Sequence, residues 1–254
     1  TDTQKQDYEV AVKSYRAARA AKVRGQVDIE SCRALSPHSF EGKSDIDAAK
    51  AVTAHLGLYR DSAFNRITNL HPEGAKINHV VDFLSKHKNE PTVIFAHNVD
   101  AVKMMREKLS AEGHRVASIT GNMNGDAKDK ARIAFSPPSG EATADVLVCS
   151  DAGSASANLQ RGYHMINYDT PMTATTHEQR IAREVRMGQK NRVDVHNLVA
   201  DNGFDIRNNH RLENKTELRD LVTSPSEMID DSGLAHRIES ARARKFEQQW
   251  SKAA

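Results

Sequence analysis

Between residues 91 and 200 the chain alternates two patterns. Short apolar runs appear at PTVIFAH (91–97) and DVLVCS (145–150), and YHMINYD (163–169) reads as a further strand. Between them lie stretches whose apolar residues recur at helical spacing. A run apolar on both of its sides reads as a strand buried on both faces, and such strands pair in parallel through crossover helices. RVASIT (115–120) and VDVHNLVA (193–200) read as the remaining strands. KINHVVDFLSKH (76–87), GDAKDKARIAF (125–135) and TTHEQRIAREVRM (175–187) read as helices. A further helix opens at Asn98, which can cap it with Asp100 in the first turn. Val102, Met105 and Leu109 form its apolar face, and Gly113 ends it. The expected fold class is α/β with a parallel sheet over residues 75–205.

The flanks read differently. Residues 1–74 carry helical spacing without a strand pattern, and DIDAAKAVTAHLGLYRDSAF (45–64) reads as one helix. Residues 206–254 read as a charged helical tail, with a basic stretch and the single tryptophan in RIESARARKFEQQW (237–250). No apolar run approaches the ~20 residues of a membrane span. The opening TDTQKQDYEV is not a secretory signal, and Cys32 and Cys149 are too few for a disulfide framework, so a cytoplasmic location is expected. A net charge of +2 does not announce a nucleic-acid binder, so any such site must be local. The histidines are scattered without zinc-like spacing, and no metal site is expected. Ser150-Asp151 has no G-x-S-x-G elbow around it. Asp145, Asp151 and Asp169 fall at strand ends, where carboxylates commonly cap.

One helix stands out. EQRIAREVRMGQ (178–189) holds three arginines in a short span. Thr175 with Glu178 fits a capping box, and Gly188 fits the position after the helix. At about 100° per residue, Ile181 and Val185 share one side, while Gln179, Arg183 and Arg186 lie within about 60° of one another on the other. Arg180 points elsewhere. Arginine offers a planar fork matched to phosphate, and ligands of open α/β sheets gather at the carboxyl ends of strands. From the residues alone, a phosphate-holding face and a solvated charged face both remain open.

The wider pattern resembles the C-terminal motor domain of superfamily 2 helicases, in particular the Swi/Snf-type DNA translocases. Gln179, Arg183, Arg186, Gly188 and Gln189 stand at the places of that family's Q-x-x-x-R-x-x-R-x-G-Q motif. MINYDTPMTATTHEQR is similar to its strand, turn and helix entry. SDAGSASANLQ (150–160) is similar to its S/T-D-A-G-G-E-G-x-N-L-Q motif, ITGNMNGDAKDKARIAF (119–135) to its T-G … F segment, and VIFAHNVDAVKMMREKL (93–109) to its first strand and helix. The chain departs from the pattern at Ala155, Ser156, Met172 and Ala182. The tail is similar in style to large helicases of phages and mobile elements.

The resemblance implies a RecA-like parallel sheet flanked by helices, and an ATP-dependent helicase or translocase in which ATP with Mg sits between two such domains. It implies Arg186 as the arginine finger, Arg183 as its catalytic companion, and Gln179, Gly153 and Asn158 at the nucleotide and its coupling loop. Thr120, Gly121, Ser150 and Asn98 would meet nucleic-acid phosphates, with double-stranded DNA as the expected partner. A Walker loop reads Gly-x4-Gly-Lys-Ser/Thr. The nearest match, EGKSD (41–45), has Pro37 where the first glycine belongs. Hence the first RecA-like domain, with most of the Mg ligands, is expected in a longer protein or a partner subunit, and this chain alone is expected not to hydrolyse ATP. Two rival readings are a non-catalytic motor-fold scaffold or nucleic-acid clamp, and half of a DEAD-box-type RNA helicase.

Overall fold

The computed structural model describes residues 1–153, 159–171, 173–184, 189 and 192–223. Residues 1–213 form one compact unit and 214–254 a second. Five helices come first: α1 (Asp2–Val23), α2 (Ile29–Leu35), α3 (Asp45–Ala54), α4 (Leu56–Asn69) and α5 (Ala75–Lys86). Then strands and helices alternate: β1 (Thr92–Ala96), α6 (Val99–Ala111), β2 (Val116–Ile119), α7 (Gly125–Phe135) and β3 (Val146–Ser150). β4 (His164–Asn167), α8 (Ala174–Glu184), β5 (Asp194–Asn197) and α9 (Gly203–Thr223) follow.

The sheet has the order β2-β3-β1-β4-β5, and every pair is parallel. Strand alternation sorts the apolar runs into two cores. Ile94 and Ala96 of β1 face a cluster with Val146, Val148, Ile166 and Tyr168, covered by Ile77, Val80 and Leu84 of α5 and by Ala101, Val102, Met105 and Leu109 of α6. Val93 and Phe95 face the other way, toward Ile119, Phe135, Leu147, Cys149 and Met165. Both cysteines are buried, and neither is in a disulfide. The expected strands and helices of this region are all present.

Two local expectations need correction. Residues 45–64 do not form one helix: it breaks at His55. The Lys22 ammonium donates to the Thr53 and Ala54 carbonyls at 2.6 and 3.2 Å, satisfying groups that a continuing helix would have used. The second correction concerns α8. Its cap is Thr173, not Thr175: the Thr176 amide donates to Thr173 Oγ1 at 3.1 Å and the His177 amide to the Thr173 carbonyl at 3.1 Å. In contrast, Asn98 caps α6 as expected, accepting from the Asp100 amide at 2.8 Å. Ser44, in the Walker-like EGKSD, caps α3 and follows no strand.

The N-terminal helices have their own apolar cluster, built by Ala18, Cys32, Leu35, Phe40, Ala48, Ala49, Val52, Leu56 and Ala63. They meet the rest through polar and aromatic contacts. Gln4 donates to the Ile67 carbonyl at 2.7 Å and accepts from the Ala75 amide at 3.1 Å. Phe64 stacks on Tyr8 and meets Phe204 edge-on. Lys76 of α5 is buried, paired with Asp205 of α9, and donates to the Tyr168 carbonyl behind β4. No helix among the described residues is long and apolar enough to cross a membrane.

Candidate functional site

Parallel strands deliver all their carboxyl ends to one edge of the sheet. Here that edge gathers His97 and Asn98 after β1, Thr120 and Gly121 after β2, Asp151 to Gly153 after β3, and Tyr168 to Thr170 after β4. α8 comes down onto it, and the residue that seats the helix is Arg180.

Only 2% of Arg180 is exposed, which for an arginine demands partners. Its Nε and Nη2 hold the two Asp151 oxygens at 2.6 and 2.9 Å in a bidentate fork. Nη2 also reaches Asp169 Oδ1 at 3.2 Å, and Nη1 donates to Asn167 Oδ1 at 2.9 Å and the Asp169 carbonyl at 3.3 Å. The guanidinium lies over the Phe95 ring. The His97 amide donates to Asp169 Oδ2 at 2.7 Å, and His97 Nδ1 meets Asp151 Oδ2 at 3.3 Å. One guanidinium thus ties together the ends of β1, β3 and β4.

The charges respond accordingly. Burial pushes the Asp151 carboxyl up, but the His97 ring and the Arg180 fork outweigh it and hold the group at about 2. Asp169 is raised because its complete burial outweighs the pull of Arg180, the His97 amide and Lys76. The Asp151 contact raises His97 against its partial burial. Asp145 takes no part. It precedes β3 at the amino edge and is held by Arg115 and Arg161.

Gln179 and Arg183 reach the same place. With Thr176, Arg180 and Asp151 they line a cleft of about 20 Å³, room for one water. Arg186 and Asn158 lie outside the described residues, so the three-residue face of α8 is described only at Gln179 and Arg183. On the β2 and β3 side, Ser150 lies beneath the surface. Its Oγ accepts from the Gly121 and Gly153 amides at 3.2 and 3.1 Å, bracing one loop against the other. Gly153 packs where no side chain fits: a Cβ there would lie 2.6 Å from the Ile119 carbonyl oxygen. Thr120 is nearly buried, Gly121 and Asn98 are half-buried, and all three line the same edge.

The donor set suits phosphate oxygens better than a cation. Gln179 and Arg183 bring an amide and a guanidinium to the cleft, and Asp151 and Asp169 are both held by Arg180. The sequence reading missed Arg180. Its signal was present but distributed: an arginine aimed at the sheet, and two aspartates just past strand ends. Among the described residues one group has metal-ligand chemistry, His87 with Glu90 and His164. It lies at the opposite, amino edge of the sheet.

A five-stranded parallel sheet with helices on both faces and a polar network on its carboxyl edge defines a RecA-like α/β domain. Residues 75–188 match the family described as helicase conserved C-terminal domain. The matched stretch begins at the start of α5 and takes in α8. The fold is similar to that of the C-terminal part of the Fun30 ATPase domain, with a TM-score of 0.58 and 14% identity over 82% of this chain and 84% of that one. That coverage is more than residues 75–254 could supply, so the likeness takes in part of the N-terminal helices. Lower similarities link the chain to the C-terminal domain of the DEAD-box protein Dbp5 (TM-score 0.47, 17% identity, 58% of this chain and 80% of that one) and to the E. coli DEAD-box protein SrmB (TM-score 0.42, 21% identity, 48% and 70%).

Proposed function

We propose that this chain is the C-terminal motor half of an ATP-dependent DNA translocase or helicase of the Swi/Snf-like group. In this reading residues 75–205 are the motor domain, 1–74 a helical link toward the first RecA-like domain, and 206–254 a helical tail. The protein works in the cytoplasm on double-stranded DNA, and a phage or mobile element is the fitting source. The observation that carries the reading is the seating of α8. Arg180 fixes the helix on the carboxyl edge, and Gln179 and Arg183 then line one cleft beside Asp151.

ATP with Mg supplies the phosphoryl chemistry, and the Mg ligands come mostly from the first domain, in keeping with the engagement of both carboxylates at this edge by Arg180. Arg186 acts as the arginine finger, stabilising charge on the phosphoryl oxygens in the transition state. Arg183 holds phosphate or orders the finger, and Gln179 senses the nucleotide. Gly153 and Asn158 shape the loop that couples the nucleotide to the track. Thr120, Gly121 and Asn98 contact strand phosphates without reading sequence, whereas Ser150, buried and already accepting from the Gly121 and Gly153 amides, braces their loops from beneath instead of touching the strand.

The test is ATP hydrolysis by a protein that joins this chain to its Walker-loop domain, measured with duplex DNA, with RNA and with neither. Stimulation by duplex DNA is expected. Stimulation by RNA alone would move the chain to an RNA helicase, and no hydrolysis under any condition would favour a clamp or scaffold.

A further inference from the structure

Three H-x-x-E pairs occur among the described residues: His38 with Glu41, His87 with Glu90, and His210 with Glu213. In each the histidine Nδ1 meets the carboxylate, as a solvated helical or turn pair commonly does. Only one of the three meets a third ligand. Glu90 Oε2 lies 2.6 Å from His87 Nδ1 and 2.7 Å from His164 Nε2, and the three ligand atoms lie within 4.8 Å of one another.

The surroundings are those of a site built from several elements. His87 follows the end of α5, Glu90 stands two residues before β1, and His164 opens β4. His164 is buried, whereas His87 and Glu90 are part-exposed and leave a path from solvent. The other nitrogen of His164, Nδ1, meets His196 Nε2 of β5 at 3.3 Å. A ligating histidine is usually oriented by such a partner on its second nitrogen. Phe83 packs against the rings of His87, His164 and His196, an apolar wall that limits their rotation.

We propose that His87, Glu90 and His164 form a binding site for one divalent transition-metal ion of the zinc class. Two imidazoles and a carboxylate suit zinc, with water in the fourth position. Tetrahedral zinc with bonds of about 2.0–2.1 Å separates its ligands by roughly 3.3 Å. Admitting the ion therefore lengthens the two Glu90 contacts by less than about 1 Å, which its exposure permits, and brings the His87 and His164 nitrogens, within 4.8 Å of each other, to the same spacing. The ion replaces the shared imidazole protons at His87 Nδ1 and His164 Nε2. Each ring then carries its proton on the other nitrogen, and His164 Nδ1–H donates to His196. The bound ion clips α5 and the approach to β1 onto β4, at the edge away from Arg180. The proposal is independent of the helicase reading.

The test is calorimetric titration of the metal-stripped chain with zinc chloride in a non-chelating buffer, repeated with cobalt(II) and followed by its visible absorption. One ion per chain with Kd of about 10 µM or tighter is expected, with the intense cobalt bands of a tetrahedral site. His87→Ala and Glu90→Gln each weaken zinc by at least about tenfold, while their metal-free circular dichroism stays that of the parent. His38→Ala, which breaks an H-x-x-E pair lacking a third ligand, leaves affinity unchanged. The proposal is overturned if the parent binds zinc no tighter than about 100 µM. It is equally overturned if His38→Ala costs as much as His87→Ala, or if neither His87→Ala nor Glu90→Gln alters affinity.

Discussion

Arg180 is the largest fully buried side chain among the described residues. Replacing it by methionine keeps roughly the volume and removes the charge, taking the guanidinium away from both Asp151 and Asp169 and leaving the His97 contacts. Breaking a buried pair in this way costs about 3–5 kcal/mol, so urea denaturation of Arg180→Met should show a loss of that size. A loss below about 1 kcal/mol would mean that the network contributes little. Acid is the second probe. Asp151 sits at about 2 against an ordinary 3.8. A depressed carboxylate adds stability that is complete above its unfolded value and is lost as pH falls toward the folded one. The loss therefore runs from about pH 4 to pH 2 and is of order 2 kcal/mol. Asp169, raised by burial, works in the opposite sense and regains stability on protonation. An Asp151→Asn variant should flatten the acid limb of the stability–pH curve, and an unchanged limb would contradict the assignment. None of this network was legible from periodicity. The angular reading of α8 sorted its residues by face, but Arg180 is partnered by groups 11 to 29 positions away.

Elements were more legible than residues. Continuously apolar runs mark the fully buried β1 and β3, and the half-exposed edge strands β2 and β5 and the central β4 also stand where the sequence reading puts them. Helix ends were harder. Asn98 was readable as a cap because the residues around it carry no competing signal. Thr175 was misread because Thr173, two residues earlier, already caps the helix through the Thr176 and His177 amides. The break at His55 was invisible because the group that satisfies its carbonyls, the Lys22 ammonium, comes from another helix. Caps are testable cheaply. Asn98→Ala and Thr173→Ala should each cost about 1 kcal/mol by thermal or chemical denaturation, and Thr175→Ala should cost much less. Gly153→Ala should cost more than a cap, about 1–3 kcal/mol, because its Cβ meets the backbone of Ile119 and Thr120 rather than a movable side chain. Stability equal to the parent would mean that the β3 loop relaxes freely.

At the scale of the molecule, the fold followed from alternation and from the resemblance, whereas the convergence of sites did not. Strand order decides which loops meet. β3 and β4 flank β1, so Asp151, Asp169 and His97 come together although their sequence separations reach 72 residues. The same order gathers His87, Glu90, His164 and His196 at the amino edge, which is why scattered histidines in the sequence gave no metal signal. The two edges thus divide the labour proposed here, a phosphate-facing edge with α8 and a structural ion clip behind it. The central claim concerns the first edge, and hydrolysis by the joined two-domain protein tests it most directly. With duplex DNA present, Arg186→Ala should lower the ATP turnover rate by about 10³-fold or more, while melting temperature stays near that of the parent. An Arg186→Ala protein that hydrolyses ATP at the parental rate would contradict the claim that α8 faces the transferring phosphoryl group.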